Sequence, residues 1–130
     1  MTDRSFLIDT HIVIWWLEKN AALNPFARAI LADRLNDVFV SAAVPWEMAI
    51  KSAKGRLETP ANLAEVLQAE GFIPLPISHA HAQAVGQLPL IHHDPFDRIQ
   101  LAQASHNGLT FITADKINLS YPHIAMMEGA

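Results

Sequence analysis

Short apolar segments alternate with helical segments along the whole chain. Of the features of the sequence, this alternation restricts the possible folds most strongly. Strands are predicted at residues 5–9, 38–41 and 110–113, each of which is a short and mostly apolar run. Helical segments separate these strands, which is the pattern of parallel strands joined by crossover helices. We therefore expect an α/β fold of the α/β/α type, with a central, mostly parallel sheet flanked by helices. A single domain spanning residues 1–130 is expected.

Capping residues and prolines predict where the remaining elements begin and end. Thr10, Ser78 and Asp94 are suitable N-caps, Pro25 and Pro60 suit first helical turns, and glycines follow several helical segments. Two prolines between residues 73 and 77 favour an edge strand or an extended segment there. The predicted helices span residues 10–18, 43–54, 59–71, 78–87 and 94–106, and a further helix is predicted to begin at residue 25. A last strand is predicted at 121–126.

Four acids stand at positions that this fold would bring to one edge of the sheet. Asp9 and Asp115 follow the ends of two strands, whereas Glu47 and Asp97 lie in the first turns of two helices. Ligands of open α/β sheets bind outside the carboxyl ends of the strands. Carboxylates that are gathered there repel one another, and a divalent cation offsets that repulsion. The pattern predicts metal-assisted chemistry on a phosphate.

Composition narrows the classes of function. The chain has 130 residues, no cysteine, a net charge of −4 and 51% hydrophobic residues. The missing cysteines exclude a thiolate nucleophile, a zinc–thiolate site and a disulfide scaffold. The acidic balance disfavours a passive nucleic-acid binder, although a bound metal or a basic partner supplies positive charge. Because no leader precedes the first strand and no apolar run exceeds six residues, we expect a cytoplasmic protein without a membrane span.

Each acid also has an ordinary structural interpretation. Asp9 and Asp94 suit helix N-caps, and capping is the better account of Asp94. Glu47 has the spacing for a helix-surface ion pair with Lys51, and the helix dipole favours Asp97 in its first turn. Arg98 is either a surface charge or a bidentate phosphate contact. The histidines are expected to lie mostly outside the metal site, with His79 and His81 facing solvent or a partner. The joint arrangement of the acids, rather than any one of them, supports the metal site.

The order and spacing of these motifs resemble those of the PIN-domain family, most closely the VapC-type ribonuclease toxins of type II toxin–antitoxin systems. The resemblance extends from residue 7 to about residue 124. It rests on Leu7-Ile8-Asp9-Thr10-His11, Trp46-Glu47-Met48-Ala49-Ile50-Lys51, Asp94-Pro95-Phe96-Asp97-Arg98 and Ile112-Thr113-Ala114-Asp115.

This resemblance implies a metal-dependent endoribonuclease that uses Mg²⁺ or Mn²⁺, together with a cognate antitoxin and a homodimer. The implied metal-binding and catalytic residues are Asp9, Glu47, Asp97 and Asp115. Asp94 and Thr113 are implied as supporting residues, and Arg98 is a further candidate. The chain departs from the family pattern at His93, where close relatives often carry an arginine.

Two other functions remain open from the sequence. The first is a Mg²⁺-dependent phosphatase or phosphotransfer domain, although Thr10-His11 after Asp9 does not supply the Asp-x-Asp pair of such enzymes. The second is a non-catalytic module whose acids bind a basic partner. Cleavage of RNA distinguishes the ribonuclease from both.

Overall fold

The computed structural model describes residues 4–130, and these residues form a five-stranded sheet with helices on both faces. The strand order is β3-β2-β1-β4-β5, and all four neighbouring pairs within the described part of the chain are parallel. This architecture confirms the predicted α/β/α fold. The strands are β1 (Ser5–Ile8), β2 (Asp37–Ser41), β3 (Ile73–Leu75), β4 (Thr110–Thr113) and β5 (Met126–Glu128).

Among residues 4–130, six α-helices connect the strands. One short 3₁₀ turn follows the fifth helix, and another follows β4. The turns lie at Val85–Gln87 and Asn118–Ser120. The helices are α1 (Thr10–Glu18), α2 (Pro25–Ala32), α3 (Ala43–Ala53), α4 (Leu63–Ala69), α5 (His79–Ala84) and α6 (Pro95–Asn107).

Alternate residues of the strands build two hydrophobic cores on opposite faces of the sheet, as the two-residue repeat of a strand requires. One core packs α1, α2, α3 and α4 against Phe6, Ile8 and Ile112. The other packs α6 against Leu7 and Phe111. Because β1 and β4 are covered on both faces, the residues that follow them are held at a fixed edge of the sheet.

Local signals placed most helix ends correctly. Asn24 and Ser78 cap their helices through side-chain hydrogen bonds, and Asp94 caps α6 with Pro95 at its first position. Gly108, with φ of 66°, ends α6 in the left-handed conformation that glycine adopts without a steric penalty. At α1 the cap is Asp9 rather than Thr10, because the Asp9 carboxylate accepts the Ile12 N–H.

Three further predictions made from the sequence were wrong. The helix predicted at residues 59–71 begins only at Leu63, so that Thr59 and Pro60 precede it. The last strand lies at Met126–Glu128 rather than 121–126, because His123 has a φ of 63° that interrupts an extended segment. His81 is buried instead of facing solvent, since its ring accepts the Ser78 N–H and contacts the Asn107 side chain.

Within residues 4–130, every helix is too short or too polar to cross a lipid bilayer.

Candidate metal centre

Asp9 is the most deeply buried of the four predicted acids. It follows β1 directly, and its side chain is 3% exposed. One carboxylate oxygen accepts the Ile12 N–H at 3.1 Å, and the other accepts the Thr113 hydroxyl and the Ala114 N–H, the latter at 3.3 Å. Burial raises the pKa of Asp9 from its ordinary value of 3.8 to about 6, although the Thr113 and Ile12 hydrogen bonds oppose the rise. The charge on Asp9 is therefore costly in the absence of a cation.

Asp97 is connected to Asp9 through two neutral side chains. Its Oδ1 accepts the Asn118 amide at 2.9 Å, and the same Nδ2 lies 3.2 Å from the Thr113 hydroxyl oxygen. Thr113 in turn donates to Asp9. Burial raises the pKa of Asp97, and the neighbouring Asp94 and Asp115 raise it further, whereas the hydrogen bond from Asn118 and the nearby His92 ring lower it. The structure thus brings the ends of β1 and β4 and the first turn of α6 to one place.

His92 lies between Asp97 and Asp115. Its Nε2 is 2.7 Å from Asp115 Oδ2 and 3.5 Å from Asp97 Oδ2. Its Nδ1 accepts the Asp94 N–H at 3.1 Å, so the neutral ring carries its proton on Nε2 and donates it to Asp115. Candidate ligand atoms of His92, Asp97 and Asp115 all lie within 4.8 Å of one another. A single N–H donor thus contacts both acids.

Glu47 lies beside Asp9 but is compensated by a cation of its own. Its Oε1 accepts the Thr10 hydroxyl at 2.6 Å, and Thr10 is the neighbour of Asp9 in sequence. Its Oε2 is 2.9 Å from the Lys51 ammonium, the helix ion pair that the spacing allowed. Glu47 therefore reaches the edge of the cluster, and it must exchange Lys51 for a metal to act as a ligand.

Arg98 holds the loop that carries His92. Its guanidinium donates to the carbonyl oxygens of Val85 at 3.0 Å, Pro89 at 2.9 Å and His92 at 3.3 Å, and to the Tyr121 hydroxyl at 3.2 Å. These four oxygens occupy both of its terminal nitrogens. The geometry supports a structural role for Arg98 in place of a bidentate contact with phosphate.

Two residues of the cluster were not predicted from the sequence. The expectation that the histidines lie mostly outside the metal site does not hold for His92, which lies between Asp97 and Asp115, and no sequence motif marks Asn118. Only their positions in the sequence could have indicated these two residues. His92 lies two residues before the cap of α6, and Asn118 lies three residues after Asp115. His93 is exposed while His92 is partly buried.

The cluster has the donor set of a hard divalent cation. Three carboxylates are gathered around Thr113, Asn118 and His92, and oxygen is the ligand that Mg²⁺ and Mn²⁺ prefer. Asn118 is fully buried, and its Oδ1 has no hydrogen-bond partner among residues 4–130. Burial raises the pKa values of Asp9 and Asp97, so a cation at this place would favour their ionised forms. The residues present therefore fit a divalent metal.

Comparison with known proteins gives a family and a fold. The model of the PIN domain family matches residues 6–122. Among solved structures, the chain is similar to VapBC2 from Rickettsia felis bound to a DNA fragment from their promoter, with 14% identity, a TM-score of 0.69, and 96% of this chain and 98% of that chain covered. It is also similar to DNA-bound VapBC from Salmonella typhimurium, with 19% identity, a TM-score of 0.68, and coverage of 95% and 97%.

A third similar structure is FitAB bound to the IR36 DNA fragment, with 16% identity, a TM-score of 0.63, and coverage of 95% and 94%. No curated protein matches the sequence. At these identities the solved structures establish the fold of the chain, and the family match covers most of its length.

Proposed function

The chain belongs to the PIN domain family, and on this premise we propose that it is a divalent-metal-dependent endoribonuclease, the toxin of a VapC-type toxin–antitoxin pair. The observation that supports this most directly is the convergence of Asp9, Asp97 and Asp115 at the carboxyl edge of the sheet. A binding module for basic peptides has no need to bury a carboxylate as deeply as Asp9, which is 3% exposed.

Asp9, Asp97 and Asp115 would hold one or two Mg²⁺ or Mn²⁺ ions, and Glu47 would complete the site. When bound, such ions supply an acidified water as the nucleophile and screen the charge on the phosphate oxygens. The protein contributes the orientation of its ligands. Thr113 and the Ala114 N–H fix the Asp9 carboxylate.

Asn118 and His92 contact the two oxygens of Asp97, and His92 also holds Asp115. Hydrogen-bond partners of this kind orient metal ligands and reduce the reorganisation needed on binding. No side-chain nucleophile is required by this mechanism, which agrees with the lack of cysteine in the sequence.

A cognate antitoxin, a homodimer and a cytoplasmic location belong to the same proposal. The similar structures were solved as VapBC and FitAB with DNA, which supports an antitoxin partner for this chain. An antitoxin that inserted an arginine among the carboxylates would supply the positive charge that the cluster lacks.

The test is cleavage of RNA by purified, partner-free protein. Total cellular RNA is incubated with Mn²⁺, with Mg²⁺ or with EDTA, and new ends are mapped. We expect metal-dependent cleavage by the native chain and loss of at least about a hundredfold in Asp97→Asn and Asp115→Asn, since each removes a charged ligand. The matched control is Asp33→Asn, because Asp33 is exposed and ends α2.

Cleavage that persisted at the native rate in Asp97→Asn would contradict the assignment of this residue. Hydrolysis of a small phosphomonoester without cleavage of RNA would support the phosphatase alternative. Partner binding with no cleavage at any metal concentration would support the non-catalytic module.

A further inference from the structure

Two aromatic residues that contact each other directly precede two of the predicted acids in the chain. Trp46 directly precedes Glu47 in α3, and Phe96 directly precedes Asp97 in α6. Their ring centroids are 4.8 Å apart with an interplanar angle of 82°, an edge-to-face contact between the two helices. Trp46 is nevertheless 57% exposed. We propose that the Trp46–Phe96 pair stacks an unpaired base of the RNA strand whose phosphate lies at the acid cluster, an inference that rests on the proposed ribonuclease function.

The position of the pair follows from the two helices. Trp46 is the fourth residue of α3 and Phe96 the second residue of α6, so that both lie in the first turns, at the edge of the sheet where the acids converge. Consecutive Cα atoms are about 3.8 Å apart. Each aromatic residue therefore lies next to an acid in the chain. The aromatic side chain and the acidic side chain project from neighbouring faces of the same helix. A strand with a phosphate at the acids must place its flanking nucleosides over surfaces such as this one.

A groove of about 550 Å³ extends from the aromatic pair, a volume within the range of small-ligand sites. Its walls include Trp46, Phe96, Ile77, His93 and Ile99, and no acidic side chain contributes to them in the part of the chain that the structure describes. Planar bases stack on aromatic side chains whatever their sequence. The groove thus offers an aromatic surface, without carboxylates in its walls, at the first turns of the helices that carry Glu47 and Asp97.

The charge near the groove favours a polyanion. Arg98 also lines it, and the oxygens that its guanidinium contacts are carbonyls and a hydroxyl. Its positive charge has no carboxylate within ion-pair distance among residues 4–130. In a chain with a net charge of −4, a guanidinium at the groove lowers the electrostatic repulsion that an RNA strand meets there.

Stacking on this pair selects unpaired RNA. Bases within an A-form duplex are already stacked and their edges lie in a deep, narrow groove, whereas bases of loops and single strands are free to turn onto an aromatic side chain. The substrate class is accordingly single-stranded or looped RNA. A second copy of this chain is the competing occupant of an exposed apolar surface, and its presence is measured in the same experiment.

The experiment measures steady-state cleavage of a short single-stranded RNA oligonucleotide by the native chain and its variants. Trp46→Ala should raise KM about tenfold, within the range measured for the loss of one base–aromatic stack, with kcat within about twofold. Trp46→Phe should restore most of the loss, because it keeps a ring at this position. Phe26→Ala is the matched control, since Phe26 is 76% exposed on α2 and should leave KM unchanged.

Fluorescence quenching and light scattering distinguish failure of the stacking site from failure of the ribonuclease function. Quenching of Trp46 fluorescence by the oligonucleotide without added metal, assigned by its loss in Trp46→Phe, supports stacking independently of cleavage. A native chain that quenches but does not cleave contradicts the ribonuclease function alone. Cleavage with native KM in Trp46→Ala, or the absence of quenching, overturns the stacking site. Light scattering that shows a dimer in the native chain and a monomer in Trp46→Ala also overturns it, in favour of a contact between copies.

Discussion

The substitution Asp9→Asn tests the electrostatics of the cluster without a substrate. Asp9 has a pKa of about 6 in the folded protein, against an ordinary value of 3.8, chiefly because burial disfavours its charge. Asparagine has nearly the same shape and keeps an oxygen that accepts a hydrogen bond, but it carries no charge. The variant therefore removes the cost of ionising this residue inside the fold.

The sign of the effect follows from the direction of the shift. A carboxyl whose pKa is raised on folding binds its proton more tightly in the folded state, so its stabilising contribution is present below pH 3.8 and is lost as the pH rises through about 6. Each pKa unit corresponds to 1.36 kcal/mol, which makes the loss about 3 kcal/mol. Because part of this loss already occurs below pH 4, we expect the free energy of unfolding of Asp9→Asn, relative to the native chain, to increase by about 2 kcal/mol between pH 4 and pH 7.5.

The assay is urea unfolding in EDTA at the two pH values, followed by circular dichroism. Replacing one carboxylate oxygen by an amide nitrogen near Thr113 or Ile12 also changes the free energy of unfolding. Because this change is the same at both pH values, it cancels when the two pH values are compared. Asp33→Asn is the control, because Asp33 is exposed and its 3.7 Å pair with Arg4 lies at the surface, where ion pairs contribute less than about 1 kcal/mol. Equal differences between Asp9→Asn and the native chain at both pH values would refute the electrostatic argument.

Three other substitutions test further contacts. Asn118→Leu removes the amide donor shared by Asp97 and Thr113 and should weaken Mn²⁺ binding about tenfold by calorimetry, whereas Gln100→Leu, which removes another buried amide, should not. Arg98→Met leaves four oxygens without their donor and should lower the free energy of unfolding by about 2 kcal/mol in urea. Gly129→Ala places a β-carbon against two packed isoleucines and should lower Tm, whereas Gly86→Ala, with open space around it, should not.

The sequence predicted the features that depend on local order along the chain. Asp9 and Asp115 follow buried strands, and parallel strands in one sheet expose their carboxyl ends at the same edge, so the convergence of these acids was foreseeable. Asp94-Pro95 has the spacing of a helix start, which placed Asp97 in the first turn of α6. The helix-capping motif and the acid cluster are thus encoded by the same few residues.

The remaining features depend on tertiary packing. The direction of the His92 ring is set by the Asp94 N–H and by a loop that Arg98 holds, and neither is visible as a pattern in sequence. Asn118 contributes because a 3₁₀ turn after β4 brings its amide back to Asp97. At Thr59, favourable capping chemistry was present without a helix, since the apolar contacts of α4 begin at Leu63.

The most direct test of the metal centre is the position of Mn²⁺ in a crystal of the native chain, located by anomalous scattering. We predict a peak within about 2.4 Å of carboxylate oxygens of Asp97 and Asp115, with Asp9 in the same ligand shell or in that of an adjacent second ion. Crystals of Asp97→Asn grown under the same conditions should lose the peak or much of its height. A saturated crystal with manganese elsewhere and none among these carboxylates would contradict the account.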